Sequence, residues 1–150
     1  MNLLEQNNEY LMNTYSPIPI NFTYGEGSNL FDETGKAFID FTSGIGVNSL
    51  GYNNVPWKNS IISQLNRFQH LSNIFTNDIT VSLAQKLIQL SNMNKVFFVN
   101  SGAEANECAI KLARKYSFDK YRENRGTILS LKKSFHGRTL ATLTATGQDK

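Results

Sequence analysis

The chain has 150 residues, enough for the core of one domain, and its 40% hydrophobic and 18% charged content is globular rather than disordered. The net charge of +3 comes from Lys and Arg scattered singly or in pairs, with no basic block interleaved with aromatics, which argues against a nucleic-acid surface. The single cysteine, Cys108, excludes an intramolecular disulfide and fits a reducing cytoplasm, and no stretch approaches the roughly 20 apolar residues of a membrane span.

The start, MNLLEQNNEYLMNTY, is neither a signal nor a transit peptide, since it has acidic residues, no Arg and no long apolar run. Leu3, Leu4, Leu11 and Met12 are spaced for an amphipathic helix over Leu3 to Tyr15. Ser16-Pro17-Ile18-Pro19 must be extended, because proline fixes φ and restricts its predecessor. Asn21 to Glu26 alternates weakly and ends in a turn at Gly25-Glu26-Gly27-Ser28. Asn29 to Asp32 and Ala37 to Phe41 read as strands of a hairpin joined through Glu33-Thr34-Gly35-Lys36. The glycine-dense Thr42 to Tyr52 is a loop that must bend.

Pro56 opens a helix whose stripe is Ile61, Ile62, Leu65 and Phe68, and His70-Leu71-Ser72-Asn73 breaks it. A second helix runs from about Asp78 to Leu90. Val96-Phe97-Phe98-Val99 is too short for a helix and reads as a buried strand. Ser101-Gly102-Ala103 turns the chain into a helix whose apolar face would be Ala105, Cys108, Ala109, Leu112, Ala113 and Tyr116. After the charged Asp119 to Arg125, Thr127 to Leu131 reads as another buried strand, Lys132 to Thr139 as a loop, and the Ala/Leu/Thr segment beyond as a helix. This rhythm of helices and strands predicts an α/β layer with parallel strands.

Two loops therefore follow predicted strands and precede helices, and in an open α/β sheet such loops share the ligand-binding edge. The first N–H groups of a helix lack internal partners and lie at its positive end, and the small Gly102 and Ala103 would let an anion approach them. Ser101-x-x-Glu104 also fits a capping box, a purely structural alternative that uses other amides. In the second loop, Phe135 can lie against a flat ring and Arg138 can grip a carboxylate through two parallel N–H groups. The plainer alternatives are a core Phe135, a hydrogen-bonded loop His136 and a surface Arg138.

NSGAEANECAIKLARKY and SFHGRTLATLTATG resemble the corresponding segments of the class III, fold-type I, pyridoxal-phosphate-dependent aminotransferases, and GEGSNLFDETGKAFIDFTSGIGVNSLGY is similar to the strand-rich part that precedes them. The resemblance implies an α/β fold: residues 1–75 an N-terminal segment with small antiparallel strands that serves the small domain and the interface, residues 76–150 the start of the large, mostly parallel cofactor-binding domain. It implies pyridoxal phosphate held by the Gly102 and Ala103 amides and the Ser101 hydroxyl, with Phe135 on its ring and Arg138 on the substrate α-carboxylate.

The implied reaction moves the terminal amino group of N-acetylornithine to 2-oxoglutarate, in arginine biosynthesis. Ornithine, 4-aminobutyrate and succinyldiaminopimelate are the alternative substrates within the family. The implied enzyme is a cytoplasmic homodimer, with His70 to Asn77 at the dimer interface near the active site. The family's cofactor-linked lysine and the aspartate beside the ring nitrogen match nothing here and are expected beyond position 150, so no catalytic residue is assigned within the chain. A chain of these residues alone should be inactive and leave sheet edges unpaired. Outside this family, the pattern suits a non-catalytic phosphate-binding α/β module or a fragment that supplies only interface surface.

Overall fold

The structure, a computed structural model, describes residues 2–123 and 125–148. The chain forms two compact units, Met1–Phe75 and Thr76–Lys150.

In the first unit, helix α1 (Leu3–Tyr10) starts on a reciprocal cap. The Glu5 N–H donates to Asn2 Oδ1 (2.9 Å) and the Asn2 N–H to Glu5 Oε2 (2.8 Å). It stops five residues short of the expected Tyr15. Asn7 and Asn8 are weak helix formers, and Leu11 and Met12 lie exposed with nothing to anchor another turn.

Strands β1 (Phe22–Glu26), β2 (Asn29–Asp32) and β3 (Ala37–Ile39) form an antiparallel meander in that order. The expected hairpin is β2–β3, with Leu30 opposite Phe38. Its turn is organised by Asp32, whose Oδ1 accepts from the Thr34 hydroxyl (2.7 Å), the Thr34 N–H (2.9 Å) and the Lys36 N–H (3.0 Å). Phe22 on β1 meets Phe38 on β3 edge-on at 5.4 Å, across the middle strand β2.

The glycine-dense stretch bends as expected, through a short turn α2 (Ser43–Gly46) in which Gly44 and Ile45 have φ near +60°. It returns to the sheet at Tyr52, which bridges to Gly27. Asp40 ties the bend together, accepting from the Thr42 hydroxyl (2.6 Å), the Thr42 N–H (2.8 Å) and the Tyr52 hydroxyl (2.7 Å). These donors, the Thr42 hydroxyl first and that of Tyr52 next, hold its carboxyl down from 3.8 to about 2. Helix α3 (Val55–Leu65) follows, capped by Asn54, which accepts from the Trp57 N–H (3.0 Å), with Pro56 in its first turn.

The second unit holds α4 (Asp78–Leu90), α5 (Gly102–Tyr121) and α6 (Leu140–Ala145). Asn77 caps α4 by accepting from the Thr80 N–H (2.8 Å). α5 is about 30 Å long at 1.5 Å per residue.

Two expectations need correction. Val96 to Val99 and Thr127 to Leu131 are not paired strands, and no parallel pairing occurs among the described residues. A strand exists through its ladder partners, and composition alone cannot provide them.

Burial differs as well. Phe97 is 68% exposed and Leu129 91%, and among the described residues no hydrophobic side chain is buried. The expected inner face of α5 is open at Ala105, Ala109, Leu112, Ala113 and Tyr116. Of the expected face only Cys108 is half-buried, and the other half-buried positions near the helix start are Glu104 and the stripe Ala103, Asn106, Glu107 and Ile110, at i, i+3, i+4 and i+7. An apolar stripe is buried only where a second layer covers it, and no such layer occurs among the described residues. None of the helices among the described residues is long and apolar enough to cross a membrane.

Candidate functional site

The candidate residues Ser101, Gly102, Ala103, Phe135 and Arg138 all fall in the second unit, around the start of α5. Ser101 is the N-cap, in extended backbone, and its Oγ accepts from the Glu104 N–H (3.2 Å). Glu104 reaches back past Ser101, taking the Asn100 N–H on Oε2 (2.6 Å) and the Asn100 side-chain amide on Oε1 (3.4 Å). The Ala105 N–H donates to the Ser101 carbonyl (3.0 Å), beginning the helix ladder.

Two donors remain. The Gly102 and Ala103 N–H groups have no acceptor among the described residues, and they sit at the positive end of a 20-residue helix. A Cβ built on Gly102 meets nothing within 4 Å, so the space beside Gly102 is open. The Ser101 hydroxyl uses a lone pair for its cap and keeps its proton to donate. Two amides and a hydroxyl at one helix start suit a phosphate.

The loop before α6 is fastened onto this helix start. Gly137 has φ +127°, and a Cβ there would stand 2.6 Å from Ala103 Cβ and 2.7 Å from Thr142 Oγ1, so only glycine permits this approach. On one side of Gly137, the His136 carbonyl accepts from Asn106 Nδ2 (2.8 Å). On the other, the Thr139 hydroxyl donates to Glu107 Oε1 (2.6 Å). His136 also donates its N–H to Thr146 Oγ1 (3.1 Å), the hydrogen-bonded loop role foreseen as the plain alternative.

Behind Gly137 lies Thr142, fully buried, the buried polar side chain among the described residues. Its Oγ1 accepts from the Thr139 N–H (3.0 Å) and lies 2.7 Å from Thr139 Oγ1. The unit's tightest packing is therefore a polar junction where the loop crosses the helix start.

This junction presents Phe135 and Arg138 outward. Phe135 is 56% exposed, not a core residue, and the Arg138 guanidinium carbon lies 5.3 Å from its ring centroid. One ring face is thus met by Arg138, and the ring remains accessible for a second flat group. The structure brings the helix-start amides and the Phe135–Arg138 loop together through Ala103 and Gly137. The tethers Asn106, Glu107, Thr139 and Thr142 were missed by sequence reasoning. Their signal was the i, i+3, i+4 alignment of Ala103 with Asn106 and Glu107, a small-and-polar stripe beside the apolar one.

Residues 10–150 match the family model described as aminotransferase class-III. Acetylornithine aminotransferase of Haemophilus ducreyi is 51% identical over 139 residues, covering 93% of this chain and 35% of that protein. Succinylornithine transaminase of Photorhabdus laumondii is 46% identical over 141 residues, covering 94% of this chain and 35% of that protein. The chain thus spans about a third of the length of these relatives. Among solved structures, adenosylmethionine-8-amino-7-oxononanoate aminotransferase from Methanocaldococcus jannaschii superposes with a TM-score of 0.89 at 29% identity, covering 97% of this chain and 36% of that one.

Proposed function

The chain belongs to the class III aminotransferase family and carries the small antiparallel sheet and helices of that family's fold-type I α/β architecture, and on this premise we propose that the protein containing it uses pyridoxal phosphate to move the terminal amino group of N-acetylornithine to 2-oxoglutarate. The observation that carries the reading is the pair of free amides at Gly102 and Ala103 beside the Phe135–Arg138 loop. When bound, the cofactor supplies an electron sink and a carrier for the amino group.

The residues of this chain supply placement. The Gly102 and Ala103 N–H groups and the Ser101 hydroxyl hold the phosphate, aided by the helix dipole. Phe135 covers one face of the cofactor ring with its own free face. Arg138 holds the α-carboxylate, and a planar fork fixes both its distance and its direction, so the far amine arrives where the chemistry occurs. In this reading the protein is a cytoplasmic homodimer acting in arginine biosynthesis, with His70 to Asn77 at the dimer interface near the active site. Residues 1–75 serve the small domain and interface, and residues 76–150 open the cofactor domain.

Similarity to acetylornithine aminotransferase supports N-acetylornithine, whereas similarity to succinylornithine transaminase favours N-succinylornithine as the second reading. Both substrates keep the α-carboxylate for Arg138 and differ in the acyl group. Steady-state kinetics with each, using 2-oxoglutarate, decides between them. A kcat/KM about tenfold or more in favour of the succinyl compound overturns the first choice. Arg138→Lys should raise KM for the acylated ornithine and leave the reaction of an amine lacking a carboxylate nearly unchanged. Equal loss on both would remove the carboxylate role.

A further inference from the structure

Asn106 and Glu107 both stand just over one turn inside α5, share a face with Ala103, and spend their polar groups on the loop before α6. The loop is thereby fixed at three closely spaced points. His136 is held through its carbonyl, Gly137 by its wedge against Ala103, and Thr139 through its hydroxyl. The residues left outward, Phe135 and Arg138, each directly precede a fastened residue.

The chemistry of each tether suits its partner. A backbone carbonyl only accepts, and the Asn106 amide donates to it. A carboxylate only accepts, so Glu107 fixes the direction of the Thr139 hydroxyl. With that proton committed, Thr139 Oγ1 can still accept from Thr142 Oγ1, 2.7 Å away, which carries the order into the one fully buried side chain.

We propose that Asn106 and Glu107 are positioning residues that hold Phe135 and Arg138 in register with the Gly102 and Ala103 amides. This rests on the cofactor reading above. The helix that offers the phosphate its donors also sets where the ring contact and the carboxylate fork stand. One rigid element then fixes the distances among all three.

The test uses the protein loaded with pyridoxal phosphate and three variants. Asn106→Asp keeps the shape and puts an acceptor against the carbonyl, Thr139→Val keeps the shape and deletes the hydroxyl, and Thr139→Ser restores it. KM and kcat for the amino-acid substrate, the visible circular dichroism of the bound cofactor and the thermal midpoint are measured for each. Asn106→Asp and Thr139→Val should raise KM about tenfold with kcat changed by about twofold or less, and should weaken the dichroism band. Thr139→Ser should return both to near the parent values.

If the first two variants lower only the thermal midpoint, with KM and dichroism unchanged, the residues are merely structural and the proposal is overturned. Phe135→Ala serves as the control for the reading beneath it. A changed dichroism in Phe135→Ala alone sinks the positioning role and keeps the cofactor site. No change in Phe135→Ala sinks the cofactor site itself.

Discussion

Replacing Gly137 by alanine tests the junction most directly. The added methyl would lie 2.6 Å from Ala103 Cβ, 3.0 Å from Ala103 Cα and 2.7 Å from Thr142 Oγ1. Neither neighbour can give way easily. Ala103 is in the first turn of a 20-residue helix, and Thr142 is fully buried and hydrogen-bonded to Thr139. The φ of +127° adds strain of about 1–3 kcal/mol for any residue with a Cβ, and the overlap adds about 1–3 kcal/mol. The loop can relieve both by lifting from α5, and then forfeits the Asn106 and Glu107 hydrogen bonds, about 1 kcal/mol each, together with its packing. We therefore expect about 3 kcal/mol, or a factor of about 100 in cofactor affinity. Titration of the purified protein with pyridoxal phosphate, followed by absorbance, measures it, and urea unfolding reports the stability in parallel. A dissociation constant within about threefold of the parent would refute the argument.

Gly102→Leu should abolish cofactor absorbance while leaving the fold intact, because nothing within 4 Å obstructs its Cβ yet the longer side chain covers the amides; normal cofactor occupancy would refute the phosphate site. Phe135→Ala should weaken cofactor retention by about 1–3 kcal/mol, read as faster loss on dialysis, and unchanged retention would remove the ring contact. Asp40 is held at about 2 in the folded chain against 3.8 ordinarily, so its contribution is fully present above about pH 4 and is lost as pH falls toward 2. Asp40→Asn should accordingly flatten the stability profile in that window, as acid titration followed by circular dichroism would show. Ile45, 96% exposed at φ +63°, loses no packing on change to glycine, and Ile45→Gly should raise stability by about 1 kcal/mol; a lower urea midpoint would count against the strain.

What could be read from the sequence was local. The helix starts at Asn77 and Ser101 and the turn at Asp32 come from caps and side-chain acceptors within four residues of their donors. The hairpin β2–β3 was legible because its loop is short and carries its own turn chemistry. Pairing between distant segments and burial were not legible, since both depend on partners far along the chain. The run Val96 to Val99 has strand composition yet no ladder partner among the described residues, and the apolar stripe of α5 has no cover there. The tether from Asn106 to His136 spans 30 residues, and a polar side chain on a helix ordinarily signals solvent. The candidate residues themselves were named from their loops, but what joins the two loops was visible only in three dimensions.

The close approach of Gly137 to Ala103 and Thr142 has an evolutionary reading. The backbone holds position 137 to glycine, and the side chains at 103 and 142 crowd the space beside it. Among related sequences, residue 137 should therefore stay glycine, and residues 103 and 142 should stay small. The exposed Leu129 and Leu131 are under no such constraint among the described residues and should drift.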